Sequence, residues 1–223
     1  MRTLIRTSMI IGTVALLAAC NGNGADAGTS TATAASSADR TAYERADDHA
    51  IGSVDAPVTI TEYASVTCGA CVSWHRNVYP TLKKDYIDTG KVRYVFREFL
   101  TGNPQLAETG FMIALCAPEE DYFKNIGLQF DRFEQISQMA AQRQSRAAYV
   151  NIAKSAGLTE DEFVSCVTDQ TNRDLIQSKM QQGFDEGVKG TPAFFANGNP
   201  VNIGSVDALE EVMSDFFGEA SDG

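Results

Sequence analysis

Two cysteines separated by two residues are the most reactive combination of side chains in this sequence. Cys68 and Cys71 enclose Gly69 and Ala70, follow a segment rich in β-branched residues and precede a helical pattern. At the start of a helix, unpaired backbone N–H groups and the positive end of the helix dipole stabilise a thiolate. We therefore predict that Cys68 is a nucleophile and that Cys71, one turn further on, is more buried and less ionised.

Such a pair can exchange disulfides with other thiols. A substrate thiolate attacks the sulfur of Cys68 in the oxidised pair, and a second substrate thiol resolves the mixed disulfide; the reverse reaction reduces a substrate disulfide. Two other uses of the pair are less favoured. A structural bridge across so short a loop adds little stability. A zinc site needs two further ligands, and Cys116 and Cys166 stand singly rather than as a second close pair.

A second motif, Lys189-Gly190-Thr191-Pro192-Ala193, follows a predicted helix and begins a predicted strand. A proline at the start of a strand fits an edge or bulge position and suits a cis peptide bond. On its own this proline would more often be an ordinary trans proline, but the upstream strand, cysteine pair and helix favour the cis form.

The elements around these motifs follow an α/β pattern. Strands are predicted at residues 58–64 and 91–100, with a helix between them that starts at Cys68 and is kinked at Pro80. A strand, a helix and a strand in this order predict parallel pairing. Helical spacing then continues from residue 105 to about 187, and a hairpin turning at Asn197-Gly198 and a closing helix follow.

The combination resembles the bacterial DsbA-like disulfide oxidoreductases. The resemblance extends from about residue 54 to 217 and is carried by residues 62–71, by Arg97, by residues 163–167 and by residues 190–195. It implies a thioredoxin-like fold, βαβ followed by ββα, with an inserted α-helical domain between the two halves. The thioredoxin-like domain would then comprise residues 51–104 and 186–221, and the insertion residues 105–185.

The resemblance also implies roles for residues outside the cysteine pair. In this family the loop corresponding to Gly190, Thr191 and Pro192 lies against the cysteines and receives the extended chain of the substrate. A buried acid behind the cysteines matches Glu62, and its carboxylate could accept the proton of Cys71. The alternatives for Glu62 are an exposed strand charge or a partner for Arg97.

One departure from the family concerns the residues between the cysteines. The best-known members have Pro-His there, and this chain has Gly69-Ala70, so a histidine that helps to stabilise the thiolate is missing. Because such residues shift the cysteine pKa, the strength of the oxidant stays open, and a weaker oxidant or a reductase is an alternative. His75 lies two turns into the helix, where we expect a surface or packing role.

The N-terminal residues predict export. Arg2 and Arg6 precede an apolar run that is long enough for a signal peptide and too short to span a bilayer. Residues 1–20 end in Leu-Ala-Ala-Cys, which resembles a bacterial lipobox with Cys20 as the lipidated residue; cleavage that leaves Cys20 incidental is the alternative. Residues 21–50 have few large apolar side chains and are predicted to form a disordered tether.

Two further cysteines and the net charge bear on stability and on binding. Cys116 and Cys166 lie on predicted helices of an exported chain, and we expect them to form a structural disulfide. Two buried free thiols, or a relay that exchanges with Cys68 and Cys71, are the alternatives. The formal net charge of -11 argues against nonspecific binding to nucleic acid or anionic membrane.

The sequence thus favours a periplasmic, lipid-anchored protein-disulfide oxidoreductase that needs no cofactor and no metal. Its substrates would be exported cysteine-containing polypeptides, and a membrane quinone-linked protein would reoxidise it. A reductase or isomerase supplied by a membrane reductant donor is the alternative within enzymes. A thiol-dependent metal-binding or client-binding protein without turnover is the alternative outside them.

Overall fold

The computed structural model describes residues 43–218; the predicted signal peptide, Cys20 and most of the expected tether lie outside the described residues. The strands are β1 (His49–Ile51), β2 (Val58–Ala64), β3 (Val92–Glu98), β4 (Ala193–Ala196) and β5 (Asn199–Val201). The helices are α1 (Gly69–Asn77), α2 (Tyr79–Leu82), α3 (Pro104–Cys116), α4 (Tyr122–Asp131), α5 (Phe133–Ala141), α6 (Ser145–Ser155), α7 (Glu160–Val167), α8 (Gln170–Asp185) and α9 (Val206–Phe217).

The strands of the described region form one mixed sheet in the order β1-β3-β2-β4-β5. β2 and β3 run parallel, as predicted, with Glu62 opposite Phe96. β4 runs antiparallel to β2, with Phe194 opposite Glu62, and β5 pairs with β4 as the second strand of the hairpin. The central strand β2 leads directly into the cysteine pair, and β4 follows Pro192, so both motifs lie on neighbouring strands.

β2 is buried on both faces. All of its residues are buried, including Glu62, which has no exposed surface. Ile60 packs in the same core as Cys71 of α1, whereas Tyr63 packs on the other side of the sheet with Val188. Because alternate residues of a strand share a face, Glu62 lies on the same side of the sheet as α1.

The segment after the cysteines forms two helices rather than one kinked helix. α1 ends at Asn77, α2 begins at Tyr79, and a π-helical turn at Lys83–Ile87 continues the chain. Pro80 lies in the first turn of α2, where the missing N–H of proline costs no helical hydrogen bond. The predicted kink is therefore a break between helices.

The inserted helices α3 to α8 pack partly among themselves and partly on the sheet. Ile113, Tyr149 and Phe163 belong to a separate apolar cluster within the insertion. Phe111 and Met112 on α3 belong to the main core instead. Ile126 on α4 and Ile176 on α8 belong to the main core as well, so several helices of the insertion contribute to the core that supports the cysteine pair.

A buried polar contact also joins the insertion to the sheet. Glu98, at the end of β3, accepts hydrogen bonds from Lys179 of α8 and Tyr122 of α4, both at 2.7 Å. All three side chains are fully buried. The polar groups thus satisfy one another in a region that water does not reach.

The folded region begins earlier than the sequence predicted, because residues 43–50 of the expected tether pack against the domain. The carboxylate of Asp48 lies 2.8 Å from the guanidinium of Arg97, with side-chain exposures of 0% and 5%. His49 begins β1 and stacks on Tyr122, with ring centroids 3.5 Å apart. The low apolar content of this segment led us to expect no burial. The segment is held by an ion pair and by an edge strand, neither of which depends on apolar side chains.

The architecture confirms the predicted fold class, a thioredoxin-like βαβ and ββα arrangement with a helical insertion. Within residues 43–218, no helix combines the length and apolar character needed to cross a bilayer.

Candidate redox site

Cys68 lies at the point where the central strand meets a helix. It is the N-cap residue of α1, with φ −94° and ψ 115°, and its Sγ accepts a hydrogen bond from the backbone N–H of Cys71 at 3.4 Å. That N–H is one of the donors that a helix start leaves unpaired. Gly69 and Ala70 between the cysteines are exposed. The reactive sulfur is thus hydrogen-bonded at the N-terminus of a helix, next to residues that are exposed to solvent.

The two cysteines differ sharply in burial and in ionisation. Both thiols are free; Cys68 is partly exposed and Cys71 is 0% exposed. Hydrogen bonding from the Cys71 thiol, from Thr191 and from the backbone N–H groups of Cys71 and Ala70 lowers the pKa of Cys68 to about 5, against the opposing effect of burial. Burial raises the pKa of Cys71 far above its usual range, and the hydrogen bond to Cys68 and the charge of Glu62 act in the same direction.

The predicted proline loop lies against the cysteine pair. The Thr191-Pro192 peptide bond is cis, and the thiol of Cys68 donates to the backbone carbonyl of Thr191 at 3.3 Å. Gly190 is nearby in sequence, but a Cβ placed there would meet no atom within 4 Å, so packing does not require glycine at this position. The structure therefore brings Thr191 to the reactive sulfur and gives Gly190 no comparable contact.

A row of hydroxyl groups holds the loops around the cysteines together. Ser65 and Thr67 both donate to the backbone carbonyl of Thr101, at 3.0 Å and 2.7 Å, and the Thr101 hydroxyl is hydrogen-bonded to the Thr191 hydroxyl. The adjacent Gly102 has φ +73°, and a Cβ there would lie 2.2 Å from the carbonyl oxygen of Thr67. Glycine is therefore required where these two loops approach each other.

Glu62 lies in a buried cluster on the α1 side of the sheet. Tyr94 of β3 donates a hydrogen bond to Oε2 of Glu62, and Nε2 of His75 lies 3.3 Å from the same oxygen. The imidazole is within ion-pair distance but not aligned for a hydrogen bond, and among the described residues Oε1 of Glu62 has no hydrogen-bond partner. Of the two alternatives weighed for Glu62, neither holds: it is buried, and Arg97 pairs with Asp48 and Glu186.

Sequence reasoning did not connect His75 with Glu62. The ring does pack, stacking on Phe130 with centroids 4.1 Å apart, but it also faces the carboxylate that lies near Cys71. A spacing signal was present, because His75 follows Cys71 by four residues and residues four apart share a helix face. Thr101 was missed as well, and no local pattern marks it.

A groove of about 460 Å³ lies beside the cysteine pair. Ala70, Trp74 and Val78 line one side, and Pro192 and Val206 are among the residues on the other. The groove thus joins the helix that carries the cysteines to the proline loop.

The second pair of cysteines lies in the insertion. Cys116 at the end of α3 is bonded to Cys166 of α7, with a Cα–Cα distance of 6.1 Å. Cys166 is buried, and its Sγ lies 2.8 Å from the backbone carbonyl of Met112. The bridge therefore joins two helices that also share the apolar packing of the insertion.

The chain is similar in sequence and in structure to known disulfide oxidoreductases. The family described as Thioredoxin matches residues 44–215. A Rickettsia typhi protein named as a protein-disulfide oxidoreductase is 29% identical over 170 residues, which cover 75% of this chain and 61% of that protein. A Bacillus anthracis protein named as disulfide bond formation protein D is 27% identical over 171 residues, which cover 73% of this chain and 75% of that protein. The crystal structure of alpha-DsbA1 from Wolbachia pipientis has a TM-score of 0.68 at 27% identity, covering 79% of this chain and 94% of that one.

The fold and the cysteine pair define the class of thioredoxin-like oxidoreductases with a helical insertion. The chain belongs to the thioredoxin family, and the predicted DsbA-like type is confirmed. It spans only about 61% of the length of the Rickettsia typhi relative.

Proposed function

We propose that this protein is a thiol:disulfide oxidoreductase that forms disulfide bonds in exported cysteine-containing polypeptides. One observation carries the proposal: the partly exposed sulfur of Cys68 accepts a hydrogen bond at a helix N-terminus, while Cys71 behind it is fully buried. The lowered pKa of Cys68, about 5, makes it a thiolate at neutral pH. A stabilised thiolate favours the reduced pair, and a protein whose reduced form is favoured gives its disulfide away.

The reaction follows from this asymmetry. A substrate thiolate attacks Sγ of Cys68 in the oxidised pair, the bond between the two cysteine sulfurs breaks, and Cys71 leaves as a thiolate that takes up one proton. The second substrate thiolate then attacks the substrate sulfur of the mixed disulfide and expels Cys68 as a thiolate. Two electrons pass from the substrate dithiol to the cysteine pair, and the substrate leaves with a disulfide.

Thr191 and Pro192 supply the proposed substrate-binding loop. They are partly exposed, and the groove beside the cysteines includes Pro192. An extended substrate chain that pairs with backbone groups of this loop would place its cysteine next to Cys68. Recognition through the backbone suits many substrate sequences, since it reads few side chains.

Glu62 is the proposed proton donor and acceptor for Cys71. It is buried on the same side of the sheet as α1, and its charge contributes to the raised pKa of Cys71. When Cys71 leaves as a thiolate, the carboxyl group of Glu62 would supply a proton; when Cys71 must attack, the carboxylate would accept one.

The reduction potential of the Cys68–Cys71 pair tests the direction of the chemistry. The measurement is glutathione equilibration of residues 43–218, with Cys71→Ser as the control that cannot form the bridge. We expect a value well above the roughly −270 mV that is typical of thioredoxin. A value near that of thioredoxin would instead favour the reductase or isomerase, and the absence of any redox response would favour a thiol-dependent binding protein.

The proposed location and partners rest on the N-terminal sequence and on the names of relatives. Residues 1–20 would direct export, lipidated Cys20 would anchor the protein to a membrane of the cell envelope, and the following residues would form the tether. The Bacillus anthracis relative is named for disulfide bond formation, which supports that direction of the reaction. A disulfide donor needs an oxidant to restore its own disulfide, and we propose a membrane quinone-linked protein for that role. Cys20→Ser should release the protein from the membrane fraction; an unchanged distribution would contradict the lipid anchor.

A further inference from the structure

The buried carboxylate of Glu62 has two polar neighbours among the described residues, and they differ in their access to solvent. Tyr94, which donates to Oε2, is 0% exposed. His75, whose Nε2 lies 3.3 Å from the same oxygen, keeps 10% of its side chain exposed, against 0% for Glu62. A path from Glu62 toward the surface therefore leads past the imidazole and not past the phenol.

Such a path would let Glu62 exchange protons with solvent while Cys71 remains protonated. Cys71 gains a proton each time the pair is reduced and loses one each time it is reoxidised, yet neither Cys71 nor Glu62 has exposed surface. A carboxyl group that gives its proton to Cys71 stays behind as a buried carboxylate until Cys71 is reoxidised and returns the proton, and burial disfavours that unpaired charge. Since neither group has exposed surface, a neighbouring titratable side chain that reaches the surface could return a proton to Glu62.

We infer that His75 carries the proton between Glu62 and solvent. The inference rests on the proposed proton role of Glu62. As Cys71 takes the proton of the Glu62 carboxyl group, the imidazolium of His75 gives its Nε2 proton to the carboxylate, and water reprotonates the ring. Reoxidation runs the same transfers backwards, so one proton enters or leaves for each disulfide exchanged. His75 does not contact the reacting sulfurs; it acts through Glu62, whose proton it supplies or removes.

The surroundings of the imidazole leave few other routes. The titratable groups that surround it are Glu62 on β2, Tyr94 on β3, Tyr79 on α2, and Cys71 and Arg76 on its own helix. Burial raises the pKa of Tyr79 and of Tyr94 above the usual range, so neither phenol exchanges its proton at neutral pH. Arg76 is paired with Glu134 at 2.7 Å.

The ring is also held in one place. It stacks on Phe130 of α4, with centroids 4.1 Å apart, and lies 4.7 Å from the ring of Tyr79. A purely structural role would consist of this packing alone. The two roles are separable, because packing depends on the shape of the ring and proton transfer depends on its basicity.

The test follows the reaction of reduced protein with oxidised glutathione, which has two resolvable steps. Cys68 first forms a mixed disulfide with glutathione, and this step needs no proton from Cys71. Cys71 then loses its proton and attacks Cys68. Acid quenching followed by mass spectrometry measures both rates in the wild type and in His75→Gln, which keeps an N–H donor but cannot pass a proton on.

We expect the rate of the first step in His75→Gln to stay within about twofold of wild type and the rate of the second step to fall by about tenfold. This effect is smaller than the roughly 10²–10⁴-fold of a general acid or base in direct contact with the reacting group, because His75 acts through Glu62. His49→Gln is the matched control, since His49 stacks on Tyr122 and pairs with Glu119, away from the cysteine pair. A second step as fast as wild type in His75→Gln would overturn the inference. If the wild type itself completes neither step, the proposed function fails instead.

Chemical rescue separates proton transfer from packing. In His75→Ala, added imidazole should restore most of the second-step rate, whereas pyrazole, which has a similar shape and is far less basic, should not. Equal rescue by both compounds would assign His75 a packing role and overturn the inference. Far-ultraviolet circular dichroism of each variant establishes that it is folded before its rates are compared.

Discussion

Two glutamates, one on each of the two parallel strands, are fully buried yet have different neighbours. Glu98 accepts hydrogen bonds on both oxygens, from Tyr122 and from the ammonium of Lys179. Glu62 has the hydroxyl of Tyr94 and the imidazole of His75 near one oxygen, and its other oxygen has no hydrogen-bond partner among the described residues. The same side chain, equally buried, is fully paired in one place and incompletely paired in the other.

The difference indicates which acid can do chemistry. A buried carboxylate paired with a lysine stays ionised, because protonating it would leave the ammonium uncompensated in a medium of low dielectric constant. A carboxylate without a fixed cation can gain or lose a proton at lower cost. The contacts of Glu98 therefore suit a static link between the insertion and the sheet, and those of Glu62 suit proton exchange.

The largest effect that this comparison implies concerns the lysine. Lys179→Met removes the cation from Glu98, and we expect the free energy of unfolding to fall by about 3–5 kcal/mol, the usual cost of leaving one member of a buried ion pair alone. Urea unfolding monitored by circular dichroism measures it. The double variant Glu98→Gln with Lys179→Met should recover much of the loss; if it does not, the two groups are not energetically a pair.

Glu62→Gln should affect the reaction rather than the fold. We expect the attack of Cys71 on the mixed disulfide to slow by about 100-fold, within the range for a general base, while the reaction of Cys68 with oxidised glutathione is unchanged. The free energy of unfolding should change by less than about 1 kcal/mol, because a neutral amide replaces a carboxylate that has no fixed cation. A loss as large as that of Lys179→Met would erase the distinction between the two acids.

A matched pair of tyrosine variants makes the comparison finer. Tyr122→Phe removes a donor from Glu98, which also pairs with Lys179, and should lower the free energy of unfolding by about 1.5–3 kcal/mol, the usual range for a hydrogen bond to a charged group. Tyr94→Phe removes the donor to Glu62, and its loss should be smaller if Glu62 exchanges protons as proposed, because a neutral carboxyl group is less costly to leave without that donor. Equal losses in urea unfolding at pH 7 would contradict the proton exchange proposed for Glu62.

Much of the fold could be predicted from the sequence because its signals are local. Asn197-Gly198 adopts the two positive φ values, 46° and 76°, that a tight hairpin turn needs. Thr159 and Glu162, three residues apart, form a capping box at the start of α7. The cysteine pair likewise carried its context in adjacent residues, a strand before and a helix after.

The contacts that distinguish the two acids could not be predicted in the same way. Lys179 and Glu98 are 81 residues apart, and Asp48 and Arg97 are 49 apart, so no periodicity relates them. His75 was assessed beside Cys68 and not beside Glu62, since only the packing of α1 on β2 brings them together. Charged groups are buried in this domain only where folding brings an opposite charge or a hydrogen-bond donor next to them, and these partners are distant in sequence.

The smallest expected effect concerns Cys68, whose ionisation should not depend on either acid. Its pKa is lowered to about 5, chiefly by hydrogen bonds from Cys71, from Thr191 and from backbone N–H groups. A free thiol titrates near about 8.5. Because the folded pKa is the lower one, the thiolate stabilises the reduced protein above the unfolded pKa, and this contribution declines as pH falls from about 8.5 and is lost at about 5.

Two measurements follow from that sign. The rate of Cys68 alkylation should be level above about pH 6 and fall below about pH 5, and the stability advantage of the reduced over the oxidised protein should shrink as pH falls from 8 to 4. Glu62→Gln should leave the alkylation midpoint in place. A shift of the midpoint by a full pH unit would show that Glu62 acts on the ionisation of Cys68 directly. Glu62 would then affect both cysteines and not Cys71 alone.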